Sequence, residues 1–246
     1  MSEAGKPRGA ALGVIEGARS RSVPTLVALV LGALVLVEAL LLGLGLLVDR
    51  VLAHSVLHRD ELSFEHGVVT HRVPVWNAVT RYGTLLGATN TVLALTAAGC
   101  LMLAWRGHGL RLPVFLAVAV AGETVLFVVA SLVVHRLRPP IPHLDGAPPT
   151  SSFPSGHTAA AMALWCGLAL GLARTHPRHR LRMLSWLLAI AVPLFVLGSR
   201  LYRGMHWPTD VAGSVVFVLV WLFLLRAALL PGAVRDRSAG GQGPDS

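Results

Sequence analysis

Residues 154–173 read PSGHTAAAMALWCGLALGLA. A short polar head, Pro154-Ser155-Gly156-His157, precedes an apolar run close to the roughly 20 residues a helix needs to cross a bilayer. Such a run predicts a membrane-spanning helix whose polar start lies at one membrane face. Pro154 suits a first helical turn, where its missing N–H costs nothing. The N–H groups of Ser155, Gly156 and His157 are then expected to be free at the positive end of the helix dipole, a place that favours an anion. Gly156, lacking a Cβ, lets the backbone approach that anion closely. His157, on the same turn, can deliver a proton to it.

Five more apolar stretches flank this one, at about 23–48, 83–105, 112–134, 183–199 and 209–230. The first follows Arg19 and Arg21, but it is far longer than the apolar core of a signal peptide, so a retained anchor is expected. Pro193 should kink the fifth stretch rather than end it. The expected fold is therefore all-α: a polytopic membrane protein with six transmembrane helices in a bundle. Composition agrees. The 246 residues are 54% hydrophobic and only 13% charged, where a soluble domain carries about 25% charged residues. Mean hydropathy is +0.66 and the pI is near 11.3. The cations sit in loops between apolar runs, so a positive-inside bias explains them better than nucleic acid binding. Cys100 and Cys166 each fall inside a predicted span, which argues against a structural disulfide or a zinc cluster.

The basic connections are 106–111 and 174–182. With Lys6, Arg8, Arg19 and Arg21 before the first span and Arg226, Arg235 and Arg237 after the last, they put most of the cations on one side. Both termini are expected on the cytoplasmic face. The division expected is a cytoplasmic segment 1–22, a membrane domain 23–230 and a disordered cytoplasmic tail 231–246, rich in Gly, Ser and charge. The long polar connection at about 50–82 then lies outside. Two readings of it stay open: an interfacial helix that caps the site, or a solvated connection.

Parity brings the remaining polar residues together. Arg138-Pro139 follows the third span, and residues 154–157 open the fourth. Ser199-Arg200 closes the fifth, while His206 and Asp210 straddle the start of the sixth. In a six-span chain, the end of an odd span and the start of the next even one share a face, here the extracytoplasmic one. Pro208 marks a helix start, and Asp210, four residues after His206, is placed to accept a hydrogen bond from one imidazole nitrogen. That would leave the other nitrogen free to attack, the orienting logic of a catalytic triad. Arg200 and Arg138 offer forked donors matched to phosphate oxygens.

These residues resemble the type 2 phosphatidic acid phosphatases, a family that shares its fold with vanadium haloperoxidases and carries three signatures. Pro-Ser-Gly-His is complete at 154–157, and Ser-Arg-x5-His-x3-Asp is complete at 199–210. The signature Lys-x6-Arg-Pro is met only at Arg138-Pro139, because Ser131 holds the lysine position. The resemblance covers roughly residues 75–228. It implies hydrolysis of a lipid-linked phosphate or diphosphate, with His206 as the nucleophile forming a phosphohistidine, Asp210 as its orienting partner and His157 as the acid. Arg138, Arg200, Ser155, Gly156 and Ser199 would hold the phosphate, with Arg136 or His135 as stand-ins for the missing lysine.

No cofactor or metal is expected. His54, His58, His66, His71, His135, His143 and Asp145 show no compact ligand spacing, and the resembled family needs no metal. Undecaprenyl diphosphate, phosphatidic acid and phosphatidylglycerol phosphate are the substrates to weigh, and an outward site leans toward carrier-lipid recycling. Two rivals remain: a phosphotransferase using the same histidines, and a non-enzymatic transporter or scaffold. A haloperoxidase fits six spans poorly. Glu38 and Glu123, inside predicted spans, are functional candidates by position alone. Oligomeric state is not legible.

Overall fold

The computed structural model describes residues 21–105, 109–147, 149–175 and 178–230. Most of the expected terminal segments, 1–20 and 231–246, lie outside these residues. Every regular element among the described residues is helical. Helix α1 (Val23–Leu46) runs on through a π-helical turn, Leu47–Val51, and a short 3-10 turn, Leu52–His54. It is followed by α2 (Val56–Thr70), α3 (Pro74–Leu86), α4 (Thr89–Trp105), α5 (Arg111–Val133), α6 (Gly156–Thr175), α7 (His179–Tyr202) and α8 (Pro208–Leu229).

Five helices are long and apolar enough to cross a membrane, and α3 with α4 makes a sixth if the bent pair is one span. The second span is thus broken where an unbroken 83–105 was expected. The two halves meet at 50°. Gly87 ends α3, and a Cβ there would come within 2.8 Å of the His157 carbonyl oxygen and of a Val196 methyl group. The bend seats the α3–α4 junction directly on the start of α6. Pro193 lies inside α7, which continues past it to Tyr202. The segment 50–82 is helical rather than merely solvated: α2 buries Glu61 and Glu65.

Helix α5 is central, packed against α1, α4, α6 and α8. Phe115, Leu126, Phe153, Phe217 and Trp221 fill the interior. Trp221 fits only because position 122 is glycine: a Cβ there would lie 2.2 Å from the indole. The indole N–H donates to the Ala119 carbonyl at 2.9 Å, so the polar edge of a buried tryptophan is satisfied. Val35, Leu101, Leu132 and Phe223 point outward, as a lipid-facing surface requires. The Arg21 guanidinium donates to the Ala227 and Ala228 carbonyls, both at 3.1 Å. The start of α1 and the end of α8 therefore share one face. The starts of α6 and α8 and the end of α7 lie at the other.

Candidate active site

Local sequence chemistry sets each wall of the site. Helix α7 ends in a full Schellman motif: the Met205 N–H bonds the Arg200 carbonyl at 3.1 Å, and the Gly204 N–H bonds that of Leu201 at 2.9 Å. Gly204 takes φ +72°, a left-handed conformation glycine adopts without penalty. This turn reverses the chain and delivers His206 to the site. Pro208 then opens α8, and Asp210 accepts the Trp207 N–H at 2.9 Å, closing the first turn with its own carboxylate.

The start of α6 differs from the sequence expectation. Pro154 precedes the helix, which begins at Gly156, and the Ser155 carbonyl receives the first helical bond, from Ala159 at 3.0 Å. Ser155 is wholly buried, and its N–H donates to the Ser214 hydroxyl at 2.8 Å. Its own hydroxyl pairs with that of Thr158 at 3.0 Å. The Ser155 N–H is therefore committed within the protein, and Gly156 and His157 are the residues of this turn that reach the cavity.

That cavity, about 370 Å³, is lined by Gly156, His157, Arg138, Arg200 and His206, with Thr84, Phe127, Asp145 and part of the 146–151 segment among the rest of its wall. Three of the segments singled out by sequence thus meet in one place. Ser199 does not face it; its hydroxyl donates to the Phe195 carbonyl at 2.7 Å and packs against Gly83 of α3. Ser131 bonds the Val128 carbonyl of its own helix at 2.9 Å and is away from the cavity. Arg136 is also away from it, paired with Glu61 and Asp210.

The orientation of His206 has an unexpected source. Its Nδ1 lies 2.7 Å from the Ser152 carbonyl oxygen and 3.8 Å from the nearer Asp210 oxygen. A carbonyl only accepts, so Nδ1 carries the proton and Nε2 keeps its lone pair. Asp210 acts one step back. Its carboxylate accepts from the Ser152 hydroxyl, so it fixes the residue whose carbonyl fixes His206. Burial pushes the imidazole below its ordinary pKa, against the pull of Asp210 and with Arg200 and Arg138 reinforcing. His206 is therefore neutral at neutral pH, the form in which a free imidazole nitrogen is able to act as a nucleophile.

A second part of the lining is built from arginines. Arg200 Nη1 donates to Asp145 at 2.8 Å and to the Thr84 hydroxyl at 3.1 Å. Arg203, one turn later, grips the same carboxylate with two bonds, at 2.8 and 2.7 Å. Burial alone would push the Asp145 carboxyl up, but the two guanidiniums outweigh it and hold it below the usual carboxylate range. Arg138 donates to the Met205 carbonyl at 2.6 Å while lining the cavity.

Sequence reasoning missed Ser152, Arg203, Thr84 and Glu61 and considered Asp145 only as a metal ligand. Among the described residues no three His, Cys, Asp or Glu side chains are grouped to hold a metal ion. His143 bonds the Pro139 carbonyl, His71 that of Gly67, and His58 packs on Trp207.

Residues 87–230 match the family model of the PAP2 superfamily. The chain belongs to that superfamily. Phosphatidylglycerophosphatase B of Escherichia coli is 44% identical over 77 residues, covering 29% of this chain and 28% of that protein. The undecaprenyl-diphosphatase of Sulfolobus acidocaldarius is 35% identical over 97 residues, 39% of this chain and 43% of its own length. Undecaprenyl-diphosphatase BcrC of Bacillus subtilis is 34% identical over 105 residues, 41% and 45% of the two chains. The chain thus spans less than half the length of each of these relatives. A crystal structure of a transmembrane PAP2-type phosphatidylglycerolphosphate phosphatase from Bacillus subtilis superimposes with a TM-score of 0.67 at 23% identity, covering 82% of this chain and 94% of that one. At that identity the likeness speaks for the fold.

Proposed function

We propose that this protein hydrolyses a lipid-borne phosphate monoester or diphosphate through a phosphohistidine on His206, at the extracytoplasmic face of the cell membrane with both termini cytoplasmic. The observation that carries the reading is the geometry of His206. It is a buried imidazole with Nδ1 pinned to a carbonyl, lining one cavity with His157, Arg200 and Arg138. Relatives named for a phosphatidylglycerophosphatase and for undecaprenyl-diphosphatases support both headgroup classes. An outward site favours the carrier-lipid diphosphate.

In this reaction Nε2 attacks phosphorus in line, and the bond to the leaving oxygen breaks with its electron pair on that oxygen. His157 protonates it. The same side chain, now a base, takes a proton from water, which attacks phosphorus and returns His206 to its neutral state. The arginines and the Gly156 turn hold the oxygens, and this electrostatic holding supplies the largest share of the rate.

The test is inorganic phosphate release by purified protein in detergent, without added metal, from prenyl diphosphates, phosphatidic acid and phosphatidylglycerol phosphate. Native release that falls by at least about 10⁴-fold in His206→Ala and about 10²–10⁴-fold in His157→Ala is expected. Release that persists in His206→Ala would overturn the reading.

A further inference from the structure

Glu61 stands on α2, outside the spanning helices and far in sequence from every signature residue, yet its polar contacts end at the nucleophile. One carboxylate oxygen accepts the Thr209 N–H at 2.8 Å and the Thr209 hydroxyl at 2.6 Å. The other accepts Arg136 Nη2 at 2.9 Å. Arg136 Nη1 in turn donates to the Thr209 hydroxyl at 2.7 Å and to Asp210. Asp210 accepts from Ser152, whose carbonyl receives His206 Nδ1–H. The chain of contacts is unbroken and buried: Glu61 is 4% exposed, Arg136 7%, Asp210 and Ser152 0%.

The charges along this chain do not cancel. Two carboxylates face one guanidinium, so this chain of contacts carries one net negative charge toward His206, set against the cationic Arg200 and Arg138 that line the cavity. When Nε2 bonds to phosphorus while Nδ1 keeps its proton, the ring becomes cationic. Buried charge acts more strongly there than it would in water. With Glu61 neutral, Asp210 and Arg136 form a neutral pair and that surplus is gone. With Arg136 absent, Glu61 and Asp210 become two buried like charges with no guanidinium between them.

We propose that Glu61 and Arg136 are positioning residues for the reaction proposed above: they keep Asp210 ionised and supply, through Asp210 and Ser152, the negative charge that steadies the cationic His206. The inference rests on the hydrolytic reading. A buried ion pair kept only as a brace is the competing account, since such pairs add little net stability. The other charged or titratable groups around His206 are Arg200 on α7, Arg138 on the extended segment before α6, and His157 on α6. Glu65, one turn after Glu61, acts on Asp210.

Steady-state phosphate release by the full chain in detergent, with phosphatidic acid and a prenyl diphosphate as probes, tests this in four proteins: native, Glu61→Gln, Asp210→Asn and the double variant. Glu61→Gln should lower kcat by about 10- to 100-fold, the scale found for outer partners of a liganding histidine, with little change in KM. Its acid limb in kcat/KM should move to lower pH, because a lost negative charge makes His206 harder to protonate. The double variant should be no worse than Asp210→Asn alone, since both act along one path. Arg136→Lys, alone and with Asp210→Asn, runs the same cycle if Glu61→Gln does not fold, and its kcat loss should likewise vanish in the Asp210→Asn background. Losses that multiply, or a Glu61→Gln protein that is merely less heat-stable with native kcat and pH profile, would overturn the inference and leave the hydrolytic reading standing. A native protein that releases no phosphate from either probe would remove both.

Discussion

The two walls of the cavity are built on different plans. On the nucleophile wall every polar group is buried and committed to another: His206 to Ser152, Ser152 to Asp210, Asp210 to Arg136 and Trp207. On the arginine wall, Arg200 is buried, but its partner Asp145 keeps 23% of its side chain exposed and sits on an irregular segment between α5 and α6. Arg200 Nε, moreover, is buried with no hydrogen-bond partner among the described residues. A buried donor left unmade costs about 1–3 kcal/mol. A phosphate oxygen reaching it would recover that cost. In the proposed reaction the nucleophile is fixed before substrate arrives, while the anion-holding wall would be completed by the substrate itself.

Substitutions sharpen this contrast in descending order. Arg200→Gln removes both the held and the waiting donor and should cut kcat/KM by about 10²–10³-fold, the scale of losing one donor to a developing charge; a tenfold smaller loss would mean the arginine wall is redundant. Asp145→Asn should act mainly on KM, raising it about tenfold, equivalent to about 1.4 kcal/mol, because Arg200 loses the partner that aims it. A KM that falls instead would show Asp145 to be a competitor for the guanidinium rather than its guide. On the other wall, the lowered pKa of His206 predicts an acid limb of kcat/KM below its ordinary value of 6.5: activity is lost only as pH falls through that depressed pKa. A limb above 6.5 would mean the imidazole is less enclosed than its contacts imply.

The last prediction concerns stability and should leave turnover near neutral pH untouched. Glu65 is fully buried, its oxygens have no hydrogen-bond partner among the described residues, and burial pushes its carboxyl up to about 8, against Arg72 and with Glu61 and Asp210 reinforcing. The unfolded chain ionises this group near 4.5 while the folded one keeps it protonated, so stability should fall as pH rises from about 4.5 to about 8. Glu65→Gln should flatten that slope and add roughly 1–3 kcal/mol at the alkaline end, read from thermal unfolding in detergent across the pH range.

What could be read from the sequence follows the range of the interactions involved. Span lengths, the helix start at Pro208 and the convergence of residues 138, 157, 200 and 206 on one face are consequences of local hydropathy and parity, and they are visible in one dimension. The start of α6 was misplaced because Pro154 suits a first turn in isolation, while tertiary bonds from Ser155 to Ser214 fix the start at Gly156. The break at Gly87 depends on the close approach of His157, which no local pattern records. Asp145, read from sequence only as a metal-ligand candidate, and Glu61 gain their partners for the same reason. Each is an ordinary carboxylate until the fold brings it to Arg200, or to Arg136 and Thr209. Ser152 is harder still, since what it offers His206 is a backbone carbonyl that any residue carries. The spacing of His206 and Asp210 suggests a direct hydrogen bond, where the structure puts the Ser152 carbonyl against Nδ1 and Asp210 one step back.

The most direct measurement is a rapid alkaline quench of the native protein during turnover of a prenyl diphosphate, followed by mass mapping of its peptides. An acid-labile phosphoryl group on the peptide that contains His206, absent in the His206→Ala background, is the predicted result. No adduct on His206, with phosphate still released when that histidine is gone, would contradict the account at its centre.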